Sequence, residues 1–137
     1  MSDYEITNTI IGAQNISVTS TTQNHPLGLI VQAVDRADTA YGAGEFVYLK
    51  GVASTVLGSF VTYNADDNST ALLAANAIGP TAVSMSINVA SSYGWYQISG
   101  KAVGKCLAGY ADNGLVFATA TAGSIDDAVV AGDRVKL

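Results

Sequence analysis

The stretch SSYGWYQISGKAVGKC, residues 91–106, decides how the rest of the chain is interpreted. In an extended strand successive side chains point to opposite faces, so alternate residues share an environment. One face of this stretch carries Tyr93, Trp95, Gln97, Ser99 and Lys101, and the other carries Tyr96, Ile98 and Ala102 with two glycines. Because the second set is apolar, we predict a strand that turns Tyr96 and Ile98 towards the core and the first set outwards.

The same stretch contains two Gly-Lys pairs, which raises the alternative of a phosphate-binding loop. That motif needs four residues between its first glycine and the Gly-Lys pair, and then a Ser or Thr that holds magnesium. Five residues separate Gly94 from Gly100, and Ala102 follows Lys101. Both the spacing and the hydroxyl are missing, so we favour the strand.

Short strands broken by turn residues fill the chain after Leu29. Aromatic and β-branched residues form the runs 29–34, 45–52, 58–64, 70–74, 80–89, 94–103, 115–121 and 133–137. Such a series is typical of a sandwich, jelly roll or compact barrel, and Asn113-Gly114 is a strong hairpin signal. Helical periodicity is weak, with candidates at 72–78 and at 124–132, where one short helical turn is predicted. We predict an all-β fold: a single compact jelly-roll-like sandwich or barrel with little helix.

The first 28 residues have a different amino-acid composition. They are rich in Thr, Ser, Asn and Gln and end near His25-Pro26, where proline restricts the chain to extended or turn geometry. We predict an extended N-terminal arm over residues 1–28, anchored by Tyr4, Ile10 and Ile11, and a β-sandwich or jelly-roll domain over 29–137. Removal of residues 1–24 is expected to weaken attachment to a partner without unfolding the domain.

Charge and composition exclude several classes of function. The net charge is -5 and only 12% of residues are charged, so we expect no nucleic-acid partner. No run of 18 apolar residues and no basic leader occurs, so we expect neither a membrane span nor an export signal. A single cysteine, Cys106, makes no internal disulfide, which favours synthesis in a reducing cytoplasm. A surface this poor in charge suits a protein that works against another protein.

One segment partly matches a calcium loop. Asn64, Asp66 and Asn68 occupy the first, third and fifth positions of that pattern, but Ser69 replaces the glycine and Ala75 replaces the bidentate glutamate. We therefore interpret residues 64–75 as a polar connection between strands and predict no metal site.

Candidate catalytic residues are equally few. His25 is the only histidine, and nothing in the sequence supplies a third residue to orient it against Cys106 or a serine. Cys106 lies in an apolar stretch, where a lone cysteine is more often a small buried hydrophobe than a nucleophile. We predict no catalytic residue, no cofactor and no enzymatic activity.

Alternation and the arm together suggest an interaction surface. Its candidate residues are Tyr4, Ile6, Ile10, Ile11, Tyr93, Trp95, Gln97 and Lys101. Trp95 stands among polar neighbours on its strand face, so it is either covered by the arm or a neighbouring strand, or it anchors a partner. We give these two alternatives equal weight, because tryptophan and tyrosine are enriched at interfaces.

The runs YGAGEFVYLKGVASTVLGSFVTYN (41–64) and AIGPTAVSMSINVASSYGWYQISGKAVGKCLAGYADNGLVFATATAGSIDDAVVAGDRV (77–135) resemble the cement, or decoration, proteins of tailed bacteriophages, including short-tailed phages of Bordetella. The resemblance implies a jelly-roll-like domain on the outer surface of the virion. It implies a clamp between adjacent major capsid protein subunits, which holds the shell against internal DNA pressure. It also implies a homo-oligomer, a dimer or trimer on a symmetry axis, made in the host bacterial cytoplasm.

Two rival functions remain at this stage. A head-fibre or tail-associated β module could bind host glycans by stacking sugars on Trp95 and Tyr93. A small enzyme is the third alternative, and its weakness is the short inventory of reactive side chains.

Overall fold

A computed structural model describes residues 4–8, 12–37 and 40–128. Two sheets account for their regular structure. The strands are β1 (Tyr4–Ile6), β2 (Ile30–Asp35), β3 (Ala43–Lys50), β4 (Phe60–Tyr63), β5 (Thr70–Leu72), β6 (Thr81–Ser84), β7 (Tyr93–Ser99), β8 (Phe117–Ala118) and β9 (Ile125–Asp126). No helix occurs among these residues, so none of them belongs to a helix that could cross a membrane. The all-β prediction is confirmed.

The larger sheet is antiparallel throughout, in the order β1-β2-β3-β7-β6-β4-β5, and β8 pairs with β9 separately. β3 and β7 lie at its centre, where Tyr48 is opposite Trp95 and Val47 is opposite Tyr96. Paired residues share a face, so one face carries Tyr48 with Trp95 and the other carries Val47 with Tyr96.

Both faces of β7 are buried, and the prediction of an outward face is wrong. Trp95 is fully buried, and Gln97 is buried beside it. The physical reason is a second layer: residues 12–28, which we call the strap, fold back across this face of β1, β2, β3 and β7. Ile16 of the strap joins the same hydrophobic cluster as Trp95.

Three hydrophobic clusters hold the layers together. The first lies beneath the strap and contains Tyr4, Ile16, Val31, Ala33, Phe46, Tyr48 and Trp95. The second fills the opposite face with Val47, Leu49, Val61, Ala82 and Tyr96. The third packs β8 and β9 against β4 and β6 through Phe60, Leu73, Val83, Ala118 and Ile125. Each cluster joins residues from distant parts of the chain, as expected of a fold built on non-local pairing.

The larger sheet curls towards itself. Asn68, just before β5, accepts a hydrogen bond from the Lys50 backbone N–H at 3.4 Å, and Thr70 Oγ1 donates to the Lys50 carbonyl at 2.7 Å. These contacts join the end of β3 to the start of β5, although no ladder connects the two strands in the part of the chain that the structure describes. The sheet is therefore curled but open.

Strand ends follow local backbone chemistry. β7 stops at Ser99 because Gly100 adopts φ +98°, a conformation that favours glycine and breaks the extended chain, so the predicted continuation to residue 103 is wrong. The predicted turn at Asn113-Gly114 is present, with Asn113 at φ +62° and Gly114 N–H donating to the Ala111 carbonyl. It precedes β8 and does not join two paired strands, so the hairpin itself is not formed.

The predicted helical turn at 124–132 is wrong for its described part. Ile125 and Asp126 form β9, which pairs with β8, and the Ile125 N–H donates to the Lys105 carbonyl at 3.1 Å. Tertiary pairing has overridden the helical start signal in Ser124 and the acids that follow. The strand predicted at 133–137 lies outside the described residues.

The described part of the N-terminal segment packs on the chain's own sheet. Residues 4–6 are the edge strand β1, with Tyr4 opposite Asp35, and the strap then covers the sheet. A chain without residues 1–24 would lack the Gln14 carbonyl that accepts the Trp95 indole N–H, and its expected retention of the folded domain stays a prediction. The predicted anchors Ile10 and Ile11 lie outside the described residues.

Candidate interaction surfaces

The backbone of Gln14 makes one hydrogen bond within the strap and one that holds the strap on the sheet. Its N–H donates to His25 Nε2 at 2.9 Å, and its carbonyl accepts from the indole N–H of Trp95 at 2.9 Å. Both bonds are buried, where a hydrogen bond is stronger and the loss of one partner costs more than in water. Gln14 therefore fixes His25 and Trp95 relative to each other.

The Gln14 side chain is also fully engaged. Its oxygen accepts from the Tyr48 hydroxyl and from the Asn24 amide, both at 2.9 Å. Its nitrogen donates to the carbonyls of Val18 at 2.7 Å and Tyr93 at 3.1 Å. A polar side chain with all four hydrogen bonds made can be buried without a net penalty. This arrangement explains how a polar segment covers an aromatic face.

Four rings surround this hydrogen-bond network. His25 lies 5.1 Å from Tyr48 and 5.5 Å from Trp95 between ring centroids, and Tyr48 lies 5.0 Å from Trp95. Tyr93 stacks on the outer side of Tyr48 at 6.4 Å. Burial raises the pKa of Tyr48, and the backbone N–H of Asn24, which donates to its hydroxyl, opposes part of that rise.

The predicted interface residues divide into buried and exposed groups. Trp95, Gln97 and Tyr4 are buried within the chain, so they form no surface for a partner while the strap is in place. The physical reason is internal pairing: the Tyr4 hydroxyl donates to the Lys101 carbonyl at 3.2 Å, and Gln97 Nε2 donates to the same carbonyl at 3.1 Å. The alternative in which this chain's own strap covers Trp95 is the one that the structure shows.

The remaining described candidates lie at the edge of the first cluster. Ile6 and Tyr93 are half-buried against it, and Lys101 is exposed with its ammonium 5.6 Å from the centre of the Tyr41 ring. Because Trp95 is enclosed, the sugar-stacking pair of the glycan hypothesis does not exist on this surface.

A different surface emerges at the end of the sheet where β3 stops and β7 begins. Three segments meet there: residues 18–22, 51–57 and 87–92. Ser20 exchanges backbone hydrogen bonds with Tyr93 at 3.0 and 2.8 Å, the Gly51 N–H donates to Ser92 at 2.8 Å, and the Val52 N–H donates to Asn88 at 3.1 Å. We call these three segments the neutral end, because none of them contains Asp, Glu, Lys or Arg.

Exposed aliphatic side chains are concentrated on the neutral end. They are Val18, Val56, Leu57, Ile87 and Val89, each between 37% and 64% exposed. Lys50, at the end of β3, borders this surface. Several exposed aliphatic groups in one uncharged region are a recognised mark of an interaction site.

The backbone beneath these side chains is rigidly held. Asn88 is fully buried, and we assign its side-chain oxygen to the side that faces two donors, the Tyr96 hydroxyl at 3.1 Å and the Gly94 N–H at 3.2 Å. Thr55, also buried, donates to the Val52 carbonyl at 2.8 Å. Burial raises the pKa of Tyr96. The neutral end is thus presented in a fixed shape.

A cleft of about 400 Å³ lies where β6 and β7 diverge. Its walls include Phe60, Val83 and Ile98, and its polar groups come from Thr81, Gln97 and Ser99. These side chains offer apolar contact and neutral hydrogen bonding, and none of them titrates near neutral pH.

The partial calcium pattern forms an ordinary turn. Asn64 Oδ1 accepts from the Asp66 N–H at 2.9 Å, and Asp67 Oδ1 accepts from the Ser69 N–H and hydroxyl at 3.0 and 2.7 Å. The bonds from Ser69 lower the pKa of the Asp67 carboxyl. Within the described ranges, no group of three His, Cys, Asp or Glu side chains is placed to hold a metal ion.

Cys106 is exposed, and it pairs with Ile125 through an isolated parallel bridge. The burial expected from its apolar neighbours is wrong, because residues 100–106 run along the surface.

Comparison with known proteins adds no relative: no family model matches the chain, and searches of curated proteins and of solved structures found no significant match.

Proposed function

We propose that this chain is a virion structural protein that binds the outer surface of a phage head and cements adjacent major capsid protein subunits. The proposal begins from the resemblance in residues 41–64 and 77–135. The observation that carries it further is the neutral end, an uncharged and rigid surface with exposed aliphatic side chains on an acidic chain.

The chemistry of the neutral end suits attachment to a protein surface. Burial of aliphatic groups contributes roughly 25 cal/mol for each Å² removed from water. No charge on these segments would have to be desolvated, which removes a common cost of association. Because internal hydrogen bonds already fix the loops, little conformational entropy would be lost on binding.

A modest contact of this kind is sufficient for a clamp. A protein that binds only the assembled arrangement of capsid subunits stabilises that arrangement by linkage, by an amount that rises with its concentration relative to its dissociation constant. Self-association as a dimer or trimer would add multivalency, since a second contact then forms at a high effective concentration. The finer fold that we propose is a jelly-roll-like barrel, supported by the contacts of Lys50 with Asn68 and Thr70.

The test is co-sedimentation of purified protein with mature, DNA-filled heads and, separately, its binding to free capsid subunits. Ile87→Asp and Leu57→Asp place a charge on the neutral end, and we expect each to weaken binding to heads by at least about tenfold, equivalent to 1.4 kcal/mol. Ile78→Asp is the matched control, because Ile78 is 97% exposed in the turn before β6, outside the neutral end.

Three results decide between the possibilities. Binding to heads that is lost with both neutral-end variants and kept with Ile78→Asp supports the proposed surface. Equal binding to heads and to free subunits contradicts the clamp mechanism. No binding to heads by the unmodified protein contradicts the function itself.

A further inference from the structure

His25 is a titratable side chain of the strap itself, buried where the strap meets Tyr48 and Trp95 of the sheet. Its Nε2 accepts the hydrogen bond from the Gln14 backbone N–H. A ring nitrogen that accepts a hydrogen bond carries no proton, so the docked strap holds the neutral imidazole with its proton on Nδ1.

The groups that pack on this ring supply no negative charge. β3 contributes Tyr48 and β7 contributes Trp95, with Tyr93 behind Tyr48. The strap contributes Gln14 and the amide groups around it, and residues 12–28 contain no Asp, Glu, Lys or Arg. Tyrosine and histidine are thus the titratable types at this site, and phenols are neutral in the range where histidine gains a proton.

We propose that the strap is a pH-sensitive latch, which is docked while His25 is neutral and opens when His25 takes up a proton. A proton on Nε2 would face the Gln14 N–H, so that two donors would point at each other. The same proton would place a positive charge in a buried site without a carboxylate, which is costly. Attraction of the cation to the Tyr48 and Trp95 rings offsets part of that cost and leaves the clash of donors in place.

The direction of the pH effect follows from proton counting. The docked strap has no place for a proton on Nε2, whereas the imidazole of an opened strap is free to accept one, so the opened strap binds more protons. The docked state is therefore favoured at neutral and alkaline pH and loses stability as the pH falls through the weakly acidic range. This inference concerns the chain itself and does not depend on attachment to a phage head.

The chain contains one tryptophan and one histidine, so opening of the strap and protonation of the histidine can each be followed separately. Trp95 fluorescence and the imidazole proton resonances of His25 should be followed on the full chain from about pH 8 to about pH 5. Far-ultraviolet circular dichroism reports whether the sheet persists. We expect a red shift of the Trp95 emission with the same midpoint as the His25 resonances, while the dichroism of the sheet stays constant.

His25→Gln is the decisive variant, because the glutamine oxygen can accept from the Gln14 N–H but does not titrate. We expect this variant to keep the emission of the docked strap over the whole range. An identical red shift in His25→Gln overturns the proposal. A wild-type emission that stays constant while His25 titrates overturns it as well, and this second measurement is decisive even where the variant fails to fold.

Discussion

The indole N–H of Trp95 donates a hydrogen bond to the backbone carbonyl of Gln14 across 81 residues of sequence. This bond joins the central strand β7 to the strap, and the Gln14 side chain adds contacts to Tyr48 and Asn24. The strap is therefore part of the folded core and not an appendage to it.

Replacement of Gln14 by alanine tests how much the strap contributes. The Tyr48 hydroxyl and the Asn24 amide would lose a buried acceptor, so we expect Gln14→Ala to lower the free energy of unfolding by about 1–3 kcal/mol. Urea unfolding followed by Trp95 fluorescence measures this change. Thr21→Ala, at an exposed position of the same strap, is the control and should stay within about 0.5 kcal/mol of the parent chain. Equal stabilities for the two variants would contradict the role of Gln14.

Two neighbouring positions in the loop after β3 should respond in opposite directions. A Cβ at Gly51 would collide with the carbonyl oxygens of Asn88 and Val89, so Gly51→Ala should lower the free energy of unfolding by about 1–3 kcal/mol. Ser54 adopts φ +68°, which glycine tolerates better, so Ser54→Gly should be neutral or stabilising by up to about 1 kcal/mol. Thermal unfolding of both variants measures the difference. A loop that accepted both changes equally would not be the rigid base described for the neutral end.

Alkaline pH should destabilise the fold through buried tyrosines. Burial raises the pKa of Tyr4, Tyr48 and Tyr96, and the negative charge of Asp35 adds to the rise at Tyr4. The folded state then holds these protons more tightly than the unfolded state, so stability is complete below the unfolded tyrosine pKa of about 10 and falls as the pH rises above it. Phenolate absorbance and urea unfolding at several alkaline pH values measure both effects. Stability that rose with pH in this range would reverse the predicted sign.

Much of the sheet was accessible from sequence because strand alternation is a local property. The pairs Phe46 with Tyr48 and Val47 with Leu49 mark the two faces of β3, and Tyr96 marks the core face of β7. Strand alternation does not show which segment of the chain forms the second layer over the sheet. The sequence does not decide whether this chain or a partner covers Trp95, because the covering segment consists of Thr, Asn and Gln residues and resembles a loop.

The sequence contains a weak indication that residues 12–28 pack over Trp95. Ile16 is an isolated aliphatic residue in a polar segment, and Gln14 is a side chain able to satisfy four hydrogen bonds. Recognising them requires knowledge of which strand lies beneath, and strand order is not a local property. The two-residue strand β9 was missed for the same reason, since its pairing with β8 and its contact with Lys105 are tertiary.

The neutral end was also only partly predictable from the sequence. Uncharged runs over residues 6–34, 51–65 and 68–100 are visible in the sequence. That three of their turns meet at one end depends on the pairing of β3 with β7 and on the path of the strap. The sequence could predict an uncharged surface, and the structure supplies its place.

The position of the strap also has a consequence for synthesis of the chain. The ribosome makes residues 12–28 well before β7 (Tyr93–Ser99), the strand on which they dock. Until β7 has been made, Ile16 and its polar neighbours lack the surface on which they dock, so a segment made before β7 is among the last to reach its native position. We therefore expect the central strands to pair first during folding and the strap to dock last, which completes the core.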